Sequence, residues 1–504
     1  MPTLDRDAID ADADRVVRKL ARAGHKAYLV GGCVRDLLVG KKPKDFDVAT
    51  SATPNEVKAT FRNTRIIGRR FRLAHVFFGS KNIEVATFRA NPAREDGDDS
   101  ELLIRRDNVF GTETEDARRR DFTINGLFYD VEREEVIDHV GGLADLDAKL
   151  VRTIGDPDVR FQEDPVRMLR ALKFAARLDF GFEPATWKAL LRWRGEISKC
   201  APPRLLEEMH RLLRGGAARR SFELMVETGV LAVLSPYLAG LLEGPGAPSK
   251  APAGSELAPR PTVPLREYED EVPEGDDAED PEVVLAQAAE AVETAPDADE
   301  PVELDEEEES WRRVWAEEPR HRPAKAQPVQ LSFVDAGGTG GGDLAKRRAH
   351  AWATMAQIDV AIAEGRDPSN AVAFASLLAP FVPDELRSND LTAAIHELAD
   401  PPIVQLHVTR RDAERLRYLL VAQRKLALAR KKGVQAELAG GHDLIDDAVL
   451  LFGLLERAQG RDISDLQPPA ATGGNGGKSG DDGEVGEDGE PRKRRRRRRG
   501  GRFR

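Results

Sequence analysis

Apolar positions near the start of the chain follow two different spacings. Residues 4–23 carry their apolar side chains on one helical face, and Gly24 follows at the position of a helix C-cap. Short apolar or alternating runs come next and predict strands, with helical RDLLVG and NEVKATFRN between them: AYLVGG, DFDVAT, FRLAHVFFG and NIEVATF. This mixture predicts a head of about 140 residues with a small mixed sheet.

Helical spacing dominates the rest of the chain. From Asp164 onward apolar residues recur every three or four positions, and we find no further strand signal. Helices extend to about residue 242 and resume after about residue 343. The fold class is therefore predicted as α+β, with a head at 1–150, a helical neck at 151–242, a linker at 243–342, a helical body at 343–466 and a tail at 467–504.

Charge changes the picture of the linker and tail. The 504-residue chain has a formal net charge of −12, but residues 261–310 hold 21 Asp/Glu and one Arg. The last 14 residues carry +10. We predict that the acidic, Pro- and Gly-rich linker and the tail are disordered. The remainder is mildly basic, so net charge is no argument against a nucleic-acid partner.

Cysteine content and hydropathy limit the cellular setting. Two cysteines, Cys33 and Cys200, are too few for a disulfide framework and show no zinc-ligand spacing. No apolar run reaches 18 residues, and the N-terminus lacks the apolar core of a signal peptide. We expect a cytoplasmic protein without a membrane segment.

The first candidate site combines glycines with paired carboxylates. Gly31 and Gly32 leave backbone N–H groups open to a phosphate, and Arg35 adds a cationic donor nearby. Asp45 and Asp47 have strand spacing, which points both carboxylates to one side, where they can share a divalent cation such as Mg²⁺. By itself, an Asp-x-Asp pair is more often a solvated strand end.

A further carboxylate and a second charged cluster accompany this pair. Glu84 lies in another predicted strand and is either a third metal carboxylate or a half-exposed strand residue. Three arginines at 118–120 precede Asp121, and they are either a phosphate and ribose clamp or a solvated charged run.

A helix start at Asp164 supplies the third cluster. Asp164 and Arg167 are three residues apart and can share one helix face. A carboxylate that accepts from an exocyclic amine, beside an arginine that donates to the adjacent ring nitrogen, fits the Watson–Crick edge of adenine or cytosine. A plain helix N-terminus before Pro165 also explains the sequence.

Together the clusters resemble the class II nucleotidyltransferase family, which contains bacterial poly(A) polymerases and CCA-adding tRNA nucleotidyltransferases. The resemblance is strong over residues 25–240. It implies catalytic residues Asp45, Asp47 and Asp121; a metal site of Asp45, Asp47 and Glu84; and nucleotide contacts at Gly31, Gly32, Arg35, Arg120, Asp164, Arg167 and Arg170. It also implies Mg²⁺-dependent attack of an RNA 3′-hydroxyl on ATP with loss of pyrophosphate.

Two features favour the poly(A) polymerase subgroup. Residues 61–76 resemble that subgroup, and their arginines form a candidate RNA-binding patch: Arg65, Arg69, Arg70 and Arg72. The basic tail resembles those of bacterial poly(A) polymerases and would bind RNA phosphates through residues such as Arg494, Arg495, Arg496 and Arg497. The partners expected are single-stranded RNA 3′ ends, in RNA processing and decay. CCA addition to tRNA and a non-catalytic RNA-binding role are the alternatives.

Overall fold

A computed structural model describes most of the chain outside the predicted linker and tail. The described residues are 4–68, 72–79, 81–90, 109–245, 342–383, 388–434, 436–438, 440–463 and 470–471. Nearly all of the predicted linker and tail lie outside these ranges, as do Arg69, Arg70 and the four tail arginines.

One mixed sheet organises the N-terminal head. Its spatial order is β3-β4-β5-β2-β1-β6-β7, with β2 and β5 parallel and all other neighbours antiparallel. The strands are β1 (Ala27–Val30), β2 (Asp47–Thr50), β3 (Thr64–Ile67), β4 (Leu73–Phe78), β5 (Lys81–Thr87), β6 (Leu127–Asp130) and β7 (Glu135–Asp138). The mixed sheet is confirmed, although it has three strands more than the apolar runs indicated.

Both faces of the sheet are packed. Leu29 and Val48 point to one face, where they join a large apolar core with helix α1 (Ala11–Arg22). Val30 and Phe128 point to the other face, and they pack with Ala117 of helix α4 (Glu113–Arg119). This alternation follows from the two-residue period of a strand. The remaining head helices are α2 (Gly32–Leu38), α3 (Pro54–Thr60) and α5 (Gly142–Ala148).

Helices follow the head, as the spacing predicted. They are α6 (Pro157–Glu163), α7 (Val166–Leu178), α8 (Pro184–Trp193), α9 (Pro202–Leu213), α10 (Ala218–Glu227), α11 (Val230–Leu234) and α12 (Pro236–Leu242). Helix α7 is buried along most of its length and packs against α9 and α10. It also reaches the head through several polar side chains, which places it beside the candidate site.

A short strand pair interrupts this helical region and corrects the expectation that no strand follows Asp164. Strand β8 (Leu150–Val151) pairs in parallel with β9 (Gly181–Phe182), which lies just after α7. Thr153, two residues after the end of β8, forms a β-bridge with Phe122 of the head. Two residues are too few to show a period of hydrophobicity, so the sequence pattern carries no trace of this pair.

The C-terminal body is helical and packs on the neck. Its helices are α13 (Gly342–Ala363), α14 (Asn370–Leu378), α15 (Ser388–Gln405), α16 (Arg410–Lys432) and α17 (His442–Ala458), with a second short strand pair, β10 (Glu437–Leu438) and β11 (Ala470–Ala471). Asp359 of α13 accepts from the backbone N–H of Arg219 at 3.1 Å and so caps α10. Within the described ranges, no helix is long and apolar enough to cross a membrane.

Candidate active site

A glycine turn joins β1 to α2 and forms one wall of the candidate site. Gly31 has φ 74°, which disfavours any residue with a side chain. A Cβ atom there would also lie 3.2 Å from Nη1 of Arg120. The turn therefore brings the Arg120 guanidinium directly against exposed backbone.

The paired carboxylates lie beside this turn. Asp47 opens β2 and is paired with Val30 on one side and Glu84 on the other, so the three side chains share one face of the sheet. Asp45 precedes the strand rather than lying within it. The side chains of Asp45 and Asp47 are both exposed, and neither has a hydrogen bond or ion pair with any other residue that the structure describes.

These carboxylates carry negative charge that the protein does not neutralise. Although Asp47 is open to the cavity, partial desolvation raises its pKa to about 6, with Glu84 and Asp45 acting in the same direction and Arg120 against them. Burial also raises the pKa of Glu84, and Asp45 adds to that effect. Crowded carboxylates with raised pKa values are typical of cation-binding sites.

The donor set fits Mg²⁺, which prefers oxygen ligands and takes several of them from water and substrate phosphates. Glu84 lies next to Asp47 in the sheet but is turned toward His75, with 3.7 Å between Oε2 and Nε2. Among the described residues, no group of three His, Cys, Asp or Glu side chains is arranged to hold a metal ion. Asp45 and Asp47 are therefore the protein ligands best placed for a cation, and the role of Glu84 stays a prediction.

Arg120 is held in place by a buried acid one helical turn earlier. Its Nε and Nη2 donate to Oδ2 of Asp116 at 3.1 and 2.8 Å. Asp116 is 5% exposed, and the Arg120 guanidinium also lies 5.3 Å from the centre of the Phe128 ring. Because Nε and Nη2 are engaged by Asp116, Nη1 is the nitrogen of Arg120 that lies toward the Gly31 turn.

Asp121 is fully engaged by neighbouring donors. It accepts from Nε of Arg170 at 2.7 Å, from Nδ2 of Asn125 at 3.0 Å and from the backbone N–H of Phe122 at 2.8 Å. Burial alone would raise the pKa of Asp121, but Arg170 and these hydrogen bonds lower it to about 2. A carboxylate this strongly bound positions its partners, so the geometry favours a positioning role for a residue that the family resemblance implies is catalytic.

Arg35 is likewise part of a buried network. Only 2% of the residue is exposed, and its Nη2 donates to Oδ1 of Asp36 at 2.7 Å. Another nitrogen, Nη1, donates to Asn125. Asp36 also accepts from Arg177 of α7 at 2.8 Å. Arg35 thus reaches the cavity from a fixed position that ties α2 of the head to α7 of the neck.

The predicted base-selecting pair lies where α6 gives way to α7. Oδ2 of Asp164 accepts from Nη2 of Arg204 at 2.9 Å, whereas Oδ1 is buried without a hydrogen-bond partner among the described residues. Arg167 is held by the backbone oxygen of Arg160 at 2.9 Å and by Glu163 at 3.3 Å. A buried carboxylate oxygen that lacks a partner is costly unless a ligand supplies the donor.

One cavity of about 580 Å³ collects these groups. Its lining includes the following predicted site residues: Gly31, Gly32, Arg35, Asp45, Asp47, Arg120, Asp121, Asp164, Arg167 and Arg170. Glu84 is outside the lining, and so are Arg65 and Arg72, which are exposed on the β3–β4 edge of the sheet.

Sequence reasoning missed another set of charged residues in the lining. They are Lys44, Lys173, Arg177, Arg204, Glu207, Glu208 and Arg211. The last four belong to α9, whose sequence reads only as an amphipathic helix. A charged residue on a helix becomes part of a site only when the helix packs beside that site. No short sequence motif encodes such packing.

The N-terminal half of the chain matches known protein families. Residues 27–152 match the model of the poly A polymerase head domain, and residues 179–242 match a domain described as "Probable RNA and SrmB- binding site of polymerase A". Poly(A) polymerase I of Salmonella typhimurium is 47% identical over 241 residues, which cover 47% of this chain and 52% of that protein. The CCA-adding enzyme of Bacillus velezensis is 37% identical over 236 residues, covering 46% and 58% of the two chains.

Among solved structures, tRNA nucleotidyltransferase complexed with a primer tRNA and an incoming ATP analog aligns with 45% of this chain and 66% of that chain, at 31% identity and a TM-score of 0.38. The chain spans about half the length of the curated relatives that it matches. The two matched domains lie between residues 27 and 242, which form the head and the neck. The N-terminal half of this chain is therefore similar in sequence to poly(A) polymerases and CCA-adding enzymes.

Proposed function

We propose that the protein is a template-independent poly(A) polymerase, which transfers AMP from ATP to the 3′-hydroxyl of RNA and releases pyrophosphate. One observation carries this proposal. The open carboxylates Asp45 and Asp47, the Gly31 turn and Asp164, whose Oδ1 has no partner among the described residues, all line a single cavity. A cation, a phosphate chain and a base amine are the three chemical groups that these features accept, and MgATP has all of them.

Selection of adenine over guanine follows from the donor and acceptor pattern at α7. Oδ1 of Asp164 accepts from the exocyclic amine, and Arg167 donates to the neighbouring ring nitrogen. Guanine presents an oxygen and a ring N–H at these positions. The oxygen would lie against the Asp164 carboxylate, which is also an acceptor, and the ring N–H against the Arg167 guanidinium, which is also a donor. Because Arg204 and Glu163 already hold the two side chains, the pattern is set before the base arrives.

The metal site is assigned to Asp45 and Asp47, whose crowded oxygens favour a hard divalent cation such as Mg²⁺. A bound cation would neutralise phosphate charge and favour ionisation of the attacking hydroxyl. Backbone N–H groups of the Gly31 turn and the guanidinium of Arg120 hold the phosphates from the other side. The RNA 3′-oxygen then bonds to the α-phosphorus as the bond to pyrophosphate breaks, a step that depends mainly on positioning.

The partners and setting are part of the same proposal. The RNA is a single-stranded 3′ end, recognised without a sequence requirement, in RNA processing and decay. The higher identity to poly(A) polymerase I than to the CCA-adding enzyme over a similar length favours polyadenylation. A cytoplasmic location remains a prediction.

The test is a primer-extension assay with purified full-length protein, Mg²⁺ and ATP on a generic RNA oligonucleotide. Extension by many adenylates is expected, with GTP and UTP poor substrates. Failure on this RNA, combined with completion of a tRNA that lacks its CCA end from CTP and ATP, would establish the CCA-adding alternative. The CCA-adding relative over the same region is the reason to include that substrate.

A further inference from the structure

One face of the head sheet is only partly covered. On strands β3, β4 and β5, residues such as Ala74, Val76 and Val85 point into the large apolar core, and the residues that alternate with them point to the second face. Helix α4 covers this second face over β1 and β6. Over β3, β4 and β5 its side chains are half-buried or exposed, and we call this surface the open face. Its residues are Arg65, Ile67, Leu73, His75, Phe77, Asn82 and Glu84.

The strand register connects the open face to the candidate metal site. Asp47 lies opposite Glu84, and Glu84 lies opposite His75. His75 lies in turn opposite Arg65 on the edge strand β3. Because paired residues share one face of a sheet, these four side chains form a row across four strands. The row spans three strand spacings, or about 14 Å, and it begins at the active-site cavity.

Phe77 supplies a phenyl ring to the open face. In the described part of the chain it packs in neither apolar core, whereas the next residue, Phe78, packs against the large core. The Phe77 side chain is half-buried, so part of its ring remains accessible. This ring therefore offers a flat apolar surface to a ligand.

Arg65 supplies positive charge beside that ring. Its guanidinium carbon lies 5.4 Å from the centre of the Phe77 ring. Arg65 is exposed and has no carboxylate partner among the described residues. By contrast, Arg35 and Arg120 in the cavity are each paired with a buried carboxylate. A cation without a counter-ion next to an aromatic ring fits a phosphate that adjoins a stacked base.

Polar side chains occupy the part of the row between this pair and the metal site. Nδ2 of Asn82 lies 2.8 Å from Nδ1 of His75, and Nε2 of His75 lies 3.7 Å from Oε2 of Glu84. The side-chain oxygen of Asn82 has no hydrogen bond to any residue that the structure describes, so it can accept one from a hydroxyl group. The open face thus combines partners for a base, a phosphate and a ribose.

We propose that the open face binds the single-stranded RNA next to its 3′ end, with a base stacked on the Phe77 ring and a phosphate bound by Arg65. This assignment rests on the proposed function in taking RNA as the acceptor of AMP. The RNA 3′-hydroxyl must reach the cation at Asp45 and Asp47, so the preceding nucleotides occupy a surface that adjoins these residues. Stacking on an aromatic ring accepts every base, which suits RNA bound without a sequence requirement.

A fluorescent base analogue tests the stacking directly. The full-length protein, without ATP, would be titrated into short single-stranded RNAs that carry 2-aminopurine at one position at a time, since the emission of this adenine analogue depends on its stacking. We expect the emission to change on binding when the analogue is near the 3′ end. F77L keeps apolar bulk but removes the ring, so it should lose this signal, and F77W should keep it. F110A is the control, at a phenylalanine of the head that is 52% exposed and outside the open face.

Affinity gives an independent measure of both contacts. F77L should weaken the binding of a short RNA by roughly five- to a hundredfold, the range for loss of one base–aromatic stack. R65Q should flatten the slope of log Kd against log salt by about 0.7, the value for one phosphate contact on a single strand, and R65K should restore it. R22Q, at an exposed arginine of α1 on the core side of the sheet, should match the wild type. In extension assays F77L should raise the KM for RNA and leave the KM for ATP unchanged.

Defined results would overturn the assignment. A wild-type stacking signal in F77L would exclude Phe77 as the platform, and a signal confined to the 5′ end would exclude this direction of the RNA. An unchanged salt slope in R65Q would remove the phosphate contact. Because Phe77 packs in neither core, the melting temperature of F77L should stay close to that of the wild type, and recovery of the signal in F77W holds as a test even if F77L unfolds.

Failure of this assignment is distinguishable from failure of the proposed function. If RNA binds with the stacking signal near its 3′ end but is not extended with ATP, the polymerase function fails and the open face keeps its assignment. If F77L extends RNA with the wild-type KM for RNA, the polymerase function stands. The open face is then not the path of the RNA, and a protein partner becomes its alternative occupant.

Discussion

Two walls of the same cavity differ in whether their charged side chains are paired. On the head wall, formed by the Gly31 turn with Asp45 and Asp47, the carboxylates have no partner among the described residues. On the helical wall, formed by α7 and α9, the charged side chains are paired: Glu208 with Lys173, and Arg170 with the buried Asp121 of the head. The charges of the helical wall are thus paired before any ligand binds, whereas the repulsion between carboxylates on the head wall is relieved by a bound cation or by a proton. Substitutions on the two walls should therefore separate loss of activity from loss of stability.

The largest expected effect is on the head wall. Replacing both Asp45 and Asp47 with alanine should reduce the extension rate at least a thousandfold, because positioning and electrostatics at the metal site dominate phosphoryl transfer. The melting temperature should stay the same or rise, since two crowded carboxylates are removed. Rate assays and thermal unfolding on the same preparation check both halves. Extension at the wild-type rate would rule out the assigned metal site.

The opposite result is expected for D121N, which removes a partner of Arg170 on the helical wall. The substitution leaves Arg170 partly buried without its closest charged partner, which should lower the free energy of unfolding at pH 7 by about 3 kcal/mol. Chemical denaturation measures this loss.

The pH dependence of that loss has a defined sign. The pKa of Asp121 is about 2 in the fold, below the ordinary aspartate value. Its stabilisation is complete above about pH 5 and declines as the pH falls from about 4 to 2, so the difference between wild type and D121N should shrink to roughly half at pH 3. A difference that stayed constant with pH would show that the loss comes from packing and not from charge.

Base selection should be altered without a comparable loss of stability. D164A removes the buried acceptor, and the preference for ATP over GTP, measured as the ratio of kcat/KM values, should fall by about tenfold to a hundredfold. R204A is the matched control, since it removes a partner of the other carboxylate oxygen and leaves the acceptor in place. Equal losses for ATP and GTP in D164A would argue against base recognition at this residue.

The smallest effect concerns the glycine turn. G31A and G40A both place a side chain at positive φ, which should cost at least about 1 kcal/mol of stability each. A Cβ on Gly31 also meets Arg120 at 3.2 Å, whereas one on Gly40 meets nothing within 4 Å. Binding of ATP should weaken in G31A alone. Similar binding by the two variants would mean that the contact between Arg120 and the turn is unimportant.

Local patterns were enough to predict much of the fold. Alternation predicted β2 and β5, and three- to four-residue spacing predicted α7, because each pattern reflects one buried face. Strands β6 and β7 were missed, since LFYD and EVID are four residues each and their burial depends on neighbours distant in sequence.

The candidate site was predictable only where its residues lie in short motifs. Asp45, Asp47 and Asp164 are in such motifs, and the structure brings them to one cavity. Lys173 and Glu208 are separated by 35 residues and meet because α7 packs against α9, a relation that neither segment encodes alone. The pairing of Asp121 with Arg170 is of the same kind.

The strand pair β8–β9 has a consequence for exchanging modules between relatives. Residues 150–154 bond on one side to the segment that carries Asp121 and on the other to residues just after α7. A chimera joined at residue 150 would divide this strand pair and combine the Asp121 segment of one parent with the backbone that bonds to it from another. Recombinants that keep their activity should therefore inherit residues 27–242 as one block, whatever C-terminal helices they receive.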